Sequence, residues 1–133
     1  HRVDPDRLNR PTAGPVVCAC LFRFPMRRGD CGTGKNAMVV KPSASAFLVT
    51  KPDADKLLRS TLDAITAAGR VWLDDSQAIV LGARVYVPPG APLVSTILLG
   101  TTVDEVTAAW LGEMYKAEAA VYNAKRHEAR KGA

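Results

Sequence analysis

The chain has 133 residues, 47% of them hydrophobic and 23% charged, the composition of one globular domain able to bury a core. No apolar run reaches the ~20 residues needed to cross a bilayer and no signal-peptide pattern is visible, so no membrane partner is expected. Net charge is 18 − 13 = +5, which favours an acidic partner, most simply nucleic acid.

The chain opens at His1 rather than Met, so residues 1–14 read as an N-terminal extension or a trimmed start. Pro11 and Gly14-Pro15 punctuate the approach to a first strand, residues 16–24. Both of its faces are apolar until Arg23, as in a central strand covered on both sides. Residues 27–36, RRGDCGTGKN, form a Gly-rich basic loop. Residues 38–50 are irregular, with Phe47, Leu48 and Val49 a candidate short strand. From Asp55 to Ala68 the spacing of Leu57, Leu58, Leu62 and Ile65 predicts a helix that Gly69 ends.

Residues 77–87 read as a second strand, with Ile79, Leu81, Ala83, Val85 and Val87 on one face. Pro88-Pro89-Gly90 turns the chain, and residues 92–99 read as its hairpin partner. Thr102-Val103-Asp104-Glu105 is a capping box that starts a long helix from about Val103 to beyond Val121. Val103, Val106, Trp110, Met114, Ala117 and Val121 share one side of it, and Tyr115 and Tyr122 lie on another flank. So long a helix suits a second subunit or plain core packing equally. Residues 103–133 thus form a C-terminal helix and a charged tail containing Lys125, Arg126, Arg130 and Lys131.

Cys18, Cys20 and Cys31 are odd in number, and His1 and His127 are the only histidines. A closed zinc site needs four ligands, so buried free thiols in a reducing cytosol are the expectation. Gly29 to Lys35 matches the P-loop pattern G-x-x-x-x-G-K, but Asn36 stands where Ser or Thr would hold magnesium, and no helix pattern follows. No nucleotide cofactor is expected. Arg27, Arg28 and Lys35 suit contacts to a nucleic-acid backbone, and equally an ordinary solvated loop.

The acids around the first helix carry more chemistry. Asp53 and Asp55 precede or open it, Asp74 and Asp75 follow it, and Lys51, Lys56, Arg59 and Arg70 are interleaved. Singly, these aspartates are caps and turns. Together, Asp53 and Asp55 lie two apart in an extended entry and can face one point, while Asp75 returns alongside the same helix. Three carboxylates without a counter-charge resist ionisation; magnesium removes that conflict and takes carboxylate oxygens readily. Arg59, one helical turn beyond Asp55, can offer a cation to the phosphate such an ion would bind.

Residues 51–77, KPDADKLLRSTLDAITAAGRVWLDDSQ, resemble the signature of the RusA family of Holliday junction endonucleases, found in phages and prophages. That signature is K-P-D-x-D-N-x-x-K, then L-D-A-L and, after a glycine, D-D-x-Q. The flanking strands extend the likeness over most of residues 16–97. The resemblance implies a homodimer that binds four-way DNA junctions and cuts two opposed strands with magnesium or manganese. By motif position it puts the metal on Asp53, Asp55 and Asp75. The family's essential lysine falls on Arg59, and its usual Asn on Lys56. Asp74 suits a supporting or turn role, and Asp63 packing or hydrogen bonding within the fold. The family's opening strand and basic P-K-G-R-type loop are not visible before Val16.

The expectation is therefore one compact α+β domain over residues 1–133, a mixed sheet with packed helices. It would be a magnesium-dependent endodeoxyribonuclease of recombination and repair, in the cytoplasm of a bacterial host. Asp53, Asp55 and Asp75 would hold metal, Arg59 would hold the scissile phosphate, and Lys51, Lys56, Arg27, Arg28 and Lys35 would touch DNA. The alternatives are a catalytically impaired nucleic-acid-binding protein of the same fold, or an assembly protein in which the acids only cap and turn.

Overall fold

The computed structural model describes residues 11–49 and 53–125. Lys51, His1, His127, Arg126, Arg130 and Lys131 lie outside the described residues. Three strands, β1 (Val16–Pro25), β2 (Ala78–Val87) and β3 (Thr96–Gly100), combine with two helices, α1 (Ala54–Ala68) and α2 (Val103–Ala124). The fold is α+β, as expected.

β1 is the central strand, in the order β2-β1-β3. Just beyond β1, Met26 N–H donates to the carbonyl of Val87 at the end of β2 (3.1 Å), so these two strands run the same way. Arg23, late in β1, donates to Val94 O (2.7 Å) and to Thr96 Oγ1 (2.6 Å) at the start of β3, so β3 runs against β1. The sheet is therefore mixed. Residues 16–22 of β1 are buried on both faces, as their continuous apolar run requires.

The hairpin reading of β2 and β3 is overturned, because β1 lies between them. Two physical reasons are visible. The connection, residues 88–95, is longer than the usual hairpin loop, although it does turn at Gly90 (φ 87°). The strand itself begins only at Thr96, since the Val94 carbonyl and the Ser95 hydroxyl are taken by Arg23. The short strand expected at Phe47 reduces to one antiparallel bridge with Val85, backed by Tyr86 N–H on Ala46 O (2.8 Å).

The chain packs as two units. In the first (residues up to 20, 53–82 and 97–110), Val17, Ala19 and Val106 form a core joined by Leu81, Leu98 and Trp110. Trp110 Nε1–H is satisfied by Cys20 O (2.9 Å). Leu81 faces that core while Gly82 faces Leu58 of α1, so β2 buries residues from both of its faces rather than one. The second unit (21–49, 83–96 and 111–125) centres on Val40, Ala44, Ala46 and Val121, with Met26, Phe47 and Ala124 packed against them. The inner stripe predicted for α2 holds at Val106, Ala117 and Val121, but Val103 is 46% exposed. Cys18, Cys20 and Cys31 are buried free thiols. No helix among the described residues is long and apolar enough to cross a membrane.

Candidate functional site

α1 begins at Ala54, with Asp53 in the N-cap position and its backbone extended (φ −69°, ψ 143°). A capping aspartate normally turns its carboxylate onto the first free N–H groups of the helix. Asp53 makes no such bond; its carbonyl accepts from Leu57 N–H (3.3 Å) and its side chain stays exposed. The carboxylate is therefore left for another partner. Asp55, Arg59 and Asp63 follow at four-residue intervals, which sets them about 6 Å apart in rise along one side of the helix. All three are exposed, as is Lys56. Among the described residues none of Asp53, Asp55 or Arg59 has its side chain tied up in an ion pair or hydrogen bond.

The helix stops at Gly69, whose left-handed backbone (φ 69°) lets its N–H reach Ile65 O and Thr66 O. Trp72 then anchors the return: it is 1% exposed and its Nε1–H donates to Thr66 Oγ1 (2.7 Å). The acids that follow sit on a 3-10 turn, Asp75–Gln77, packed against α1. Asp74 caps this turn, accepting from Ser76 N–H (2.8 Å), and Gln77 closes the reciprocal half of the capping box. Gln77 Oε1 accepts from Leu73 N–H (2.8 Å) and Asp74 N–H (3.0 Å). Its Nε2 donates to Thr12 O and Gly14 O, both at 2.8 Å. One glutamine thus ties the acidic turn to the segment that leads into β1.

The two acids of the pair are set to different tasks. The Ser76 N–H holds the Asp74 carboxyl below its ordinary value. Asp75 is pushed up, chiefly by its hydrogen bond with Asp74 and then by slight burial and the charges of Asp74 and Asp63. The structure therefore gives Asp74 the turn role and leaves Asp75 exposed among like charges. Asp63 departs from expectation. It is exposed rather than packed, and its charge acts on Asp75. The four-residue spacing from Asp55 through Arg59 was the sequence signal for it.

Among the described residues no three His, Cys, Asp or Glu side chains are gathered closely enough to hold a metal ion. The acids line an open surface rather than a closed cage. Their chemistry nonetheless fits magnesium, a hard cation that binds through one or two carboxylates plus water and substrate phosphates.

The other candidate DNA contacts among the described residues, Arg27, Arg28 and Lys35, lie in the second unit. Arg27 pairs with Asp30 (3.1 Å) and its guanidinium lies 5.7 Å from the Tyr86 ring centre, so it already has structural partners. Arg28 and Lys35 are exposed on 3-10 turns, Arg28–Asp30 and Gly34–Asn36. The loop after Lys35 does not open an α-helix, so the P-loop pattern lacks its structural context. Arg23, which sequence reasoning passed over, works inside the fold through Val94 O, Thr96 and Glu113.

No curated protein and no solved structure matches the chain. A family model, Endodeoxyribonuclease RusA, matches residues 4–92, about two thirds of the sequence. The match holds the whole acidic segment, and it starts before the strand at which the resemblance first became visible. With acids and Arg59 exposed along α1 and an acidic turn returned beside it, the chain belongs to the RusA endodeoxyribonuclease family.

Proposed function

We propose that this protein cuts DNA phosphodiesters at four-way junctions, as a homodimer, with magnesium or manganese. The observation that carries the reading is the uncapped, exposed Asp53 carboxylate at the head of α1, a helix whose exposed side chains include Asp55 and Arg59. A residue in the capping position that does not cap has its oxygen atoms available to a ligand.

Asp53, Asp55 and Asp75 are the acids that would hold the cation, one or two of them directly and the rest through its bound water. When bound, it supplies a Lewis acid that lowers the pKa of water and offsets charge building on the phosphodiester. Arg59 takes two phosphate oxygens with its planar fork and stays protonated throughout, so it orients the substrate and does not shuttle protons. Lys56, exposed in the same first turn, adds positive charge toward the DNA backbone. Gln77 and Asp74 hold the turn that carries Asp75. Arg28 and Lys35 are left for backbone contacts elsewhere.

The test is a labelled four-way junction incubated with and without magnesium. Paired symmetric nicks that need the metal are expected. Asp55→Asn should slow cutting by about 100-fold or more while junction binding persists. Cutting by that variant at the wild-type rate would remove the site. Binding by the wild type without any cutting would support the catalytically impaired alternative.

A further inference from the structure

The Gly-rich loop of the second unit is pinned at its feet and at its tip. Lys41 N–H donates to Asp30 O (2.8 Å) and Gly32 N–H to Val39 O (2.9 Å), around an antiparallel bridge between Cys31 and Val40. Both bridge residues are buried, and Val40 N–H is fixed on Ala124 O at the end of α2 (2.9 Å). At the tip, Asn36 N–H donates to Thr33 O and Val39 N–H to Asn36 O, both at 3.0 Å. Gly32 passes so close to this turn that a Cβ there would lie 2.5 Å from Asn36 O. The loop thereby forms a pocket of about 230 Å³ whose lining includes Gly32, Thr33, Asn36, Lys41 and Pro42.

We infer that this pocket takes a phosphate group of a DNA strand, with Lys41 as its cation and the Thr33 hydroxyl and Asn36 amide as further donors. Among the described residues none of these three side chains has a hydrogen bond or an ion pair. An ammonium brings three donors and no acceptor, and the hydroxyl and amide add their own, so the lining suits a group rich in acceptor oxygens. Volume limits what enters: pockets for whole small molecules span about 300–1,000 Å³, so this one has room for a phosphate rather than a complete nucleotide. Charge favours a strand over a lone anion. Residues 27–41 hold four cations and one acid, 4 − 1 = +3. Arg27 pairs with Asp30, which leaves Arg28, Lys35 and Lys41 exposed without a counter-charge. A duplex with one charge per about 1.7 Å can meet several of them at once. Because the loop is pinned beforehand, little ordering entropy is lost when the phosphate docks. The inference rests on DNA as the substrate class but not on the acids of α1.

The test measures binding of a labelled four-way junction to the full chain by anisotropy, without magnesium so that nothing is cut, over a series of salt concentrations. Lys41→Ala should weaken binding by roughly 5- to 20-fold and reduce the slope of log affinity against log salt by about 0.9, one phosphate contact. Lys41→Arg keeps the charge and the donors and should bind within about two-fold of the wild type. Thr33→Val removes a neutral donor and should cost about 2- to 5-fold with the slope unchanged. Thr33 and Lys41 are exposed, so thermal melting of these variants should not move, which separates a lost contact from a lost fold. Lys116→Ala, at an exposed lysine of α2 that pairs with Glu113, is the control for net charge alone. Junction binding unaffected by Lys41→Ala would overturn the inference, as would an equal loss and slope change for Lys116→Ala. Saturable binding of dTMP that Lys41→Ala abolishes, with junction affinity unmoved, would make this a nucleotide pocket and overturn it too. Asp55→Asn should bind the junction with the wild-type salt slope even if it cuts nothing, so failure of this pocket and failure of the nuclease reading are told apart.

Discussion

Gln77→Ala tests whether the acidic turn is held as the structure shows. The wild-type amide makes four hydrogen bonds, at 2.8 and 3.0 Å to two N–H groups and twice at 2.8 Å to carbonyls. The Leu73 and Asp74 N–H groups are exposed, so water replaces that pair at little cost. The bonds to Thr12 O and Gly14 O are partly buried, and each contributes about 0.5–1.5 kcal/mol net. The sum is a loss of about 1–3 kcal/mol. With unfolding entropy of about 2.1 cal/mol/K per residue, this chain changes by roughly 0.28 kcal/mol/K, so Tm should fall by about 4–11 °C. Gln77→Glu is the sharper variant. It keeps both acceptors for Leu73 and Asp74 but turns a carboxylate oxygen onto two carbonyls, so it should cost at least as much near neutral pH. Thermal melts followed by circular dichroism measure both. A Gln77→Glu protein as stable as the wild type would refute the proposed bonds to Thr12 and Gly14.

Gly69→Ala forces a side chain into the left-handed backbone at φ 69° and should cost about 1–2 kcal/mol, read as a lower urea midpoint; an unchanged midpoint would deny the helix stop. Asp74 has a depressed carboxyl, so its stabilisation is fully present above the unfolded value near 3.8 and is lost as pH falls through the lower folded value. Asp75 is raised, so it protonates first on acidification and relieves its repulsion with Asp74 before that loss begins. The stability gap between wild type and Asp74→Asn should therefore shrink as pH falls below 3.8, and a gap independent of pH would contradict the Ser76 bond.

Local signals were legible where one residue decides the geometry. The apolar run of β1 announced a strand covered on both faces, and Gly69 announced the end of α1. Asp74 and Gln77, three apart, are the ends of a capping box that sequence can suggest, but the two bonds from Gln77 to residues 12 and 14 cannot be foreseen from spacing. Strand pairing was misread because alternation places a strand without choosing its neighbour. β3 followed β2 in sequence, yet β1 lies between them in the sheet. Asp63 was misread because the motif suggested packing, whereas its side chain is exposed. The tyrosines of α2 were visible as a seven-residue spacing, but that they line a groove with the distant 44–47 segment was not.

The arginine on α1 gains its meaning from what it does not do. Arg59 has an aspartate one turn before it and another one turn after it, yet among the described residues it pairs with neither. At exposed positions such pairs are worth about 0–1 kcal/mol, so nothing costly must break when a phosphate arrives. A phosphodiester offers two oxygens to the planar fork, a bidentate contact stronger than either exposed pair. A cation drawn to Asp55 would weaken that residue's remaining hold on the guanidinium and bring the phosphate closer. Cation and DNA binding at this surface should therefore assist each other through Arg59. A lysine would follow the same charge argument, but without the fork's geometric preference for two oxygens.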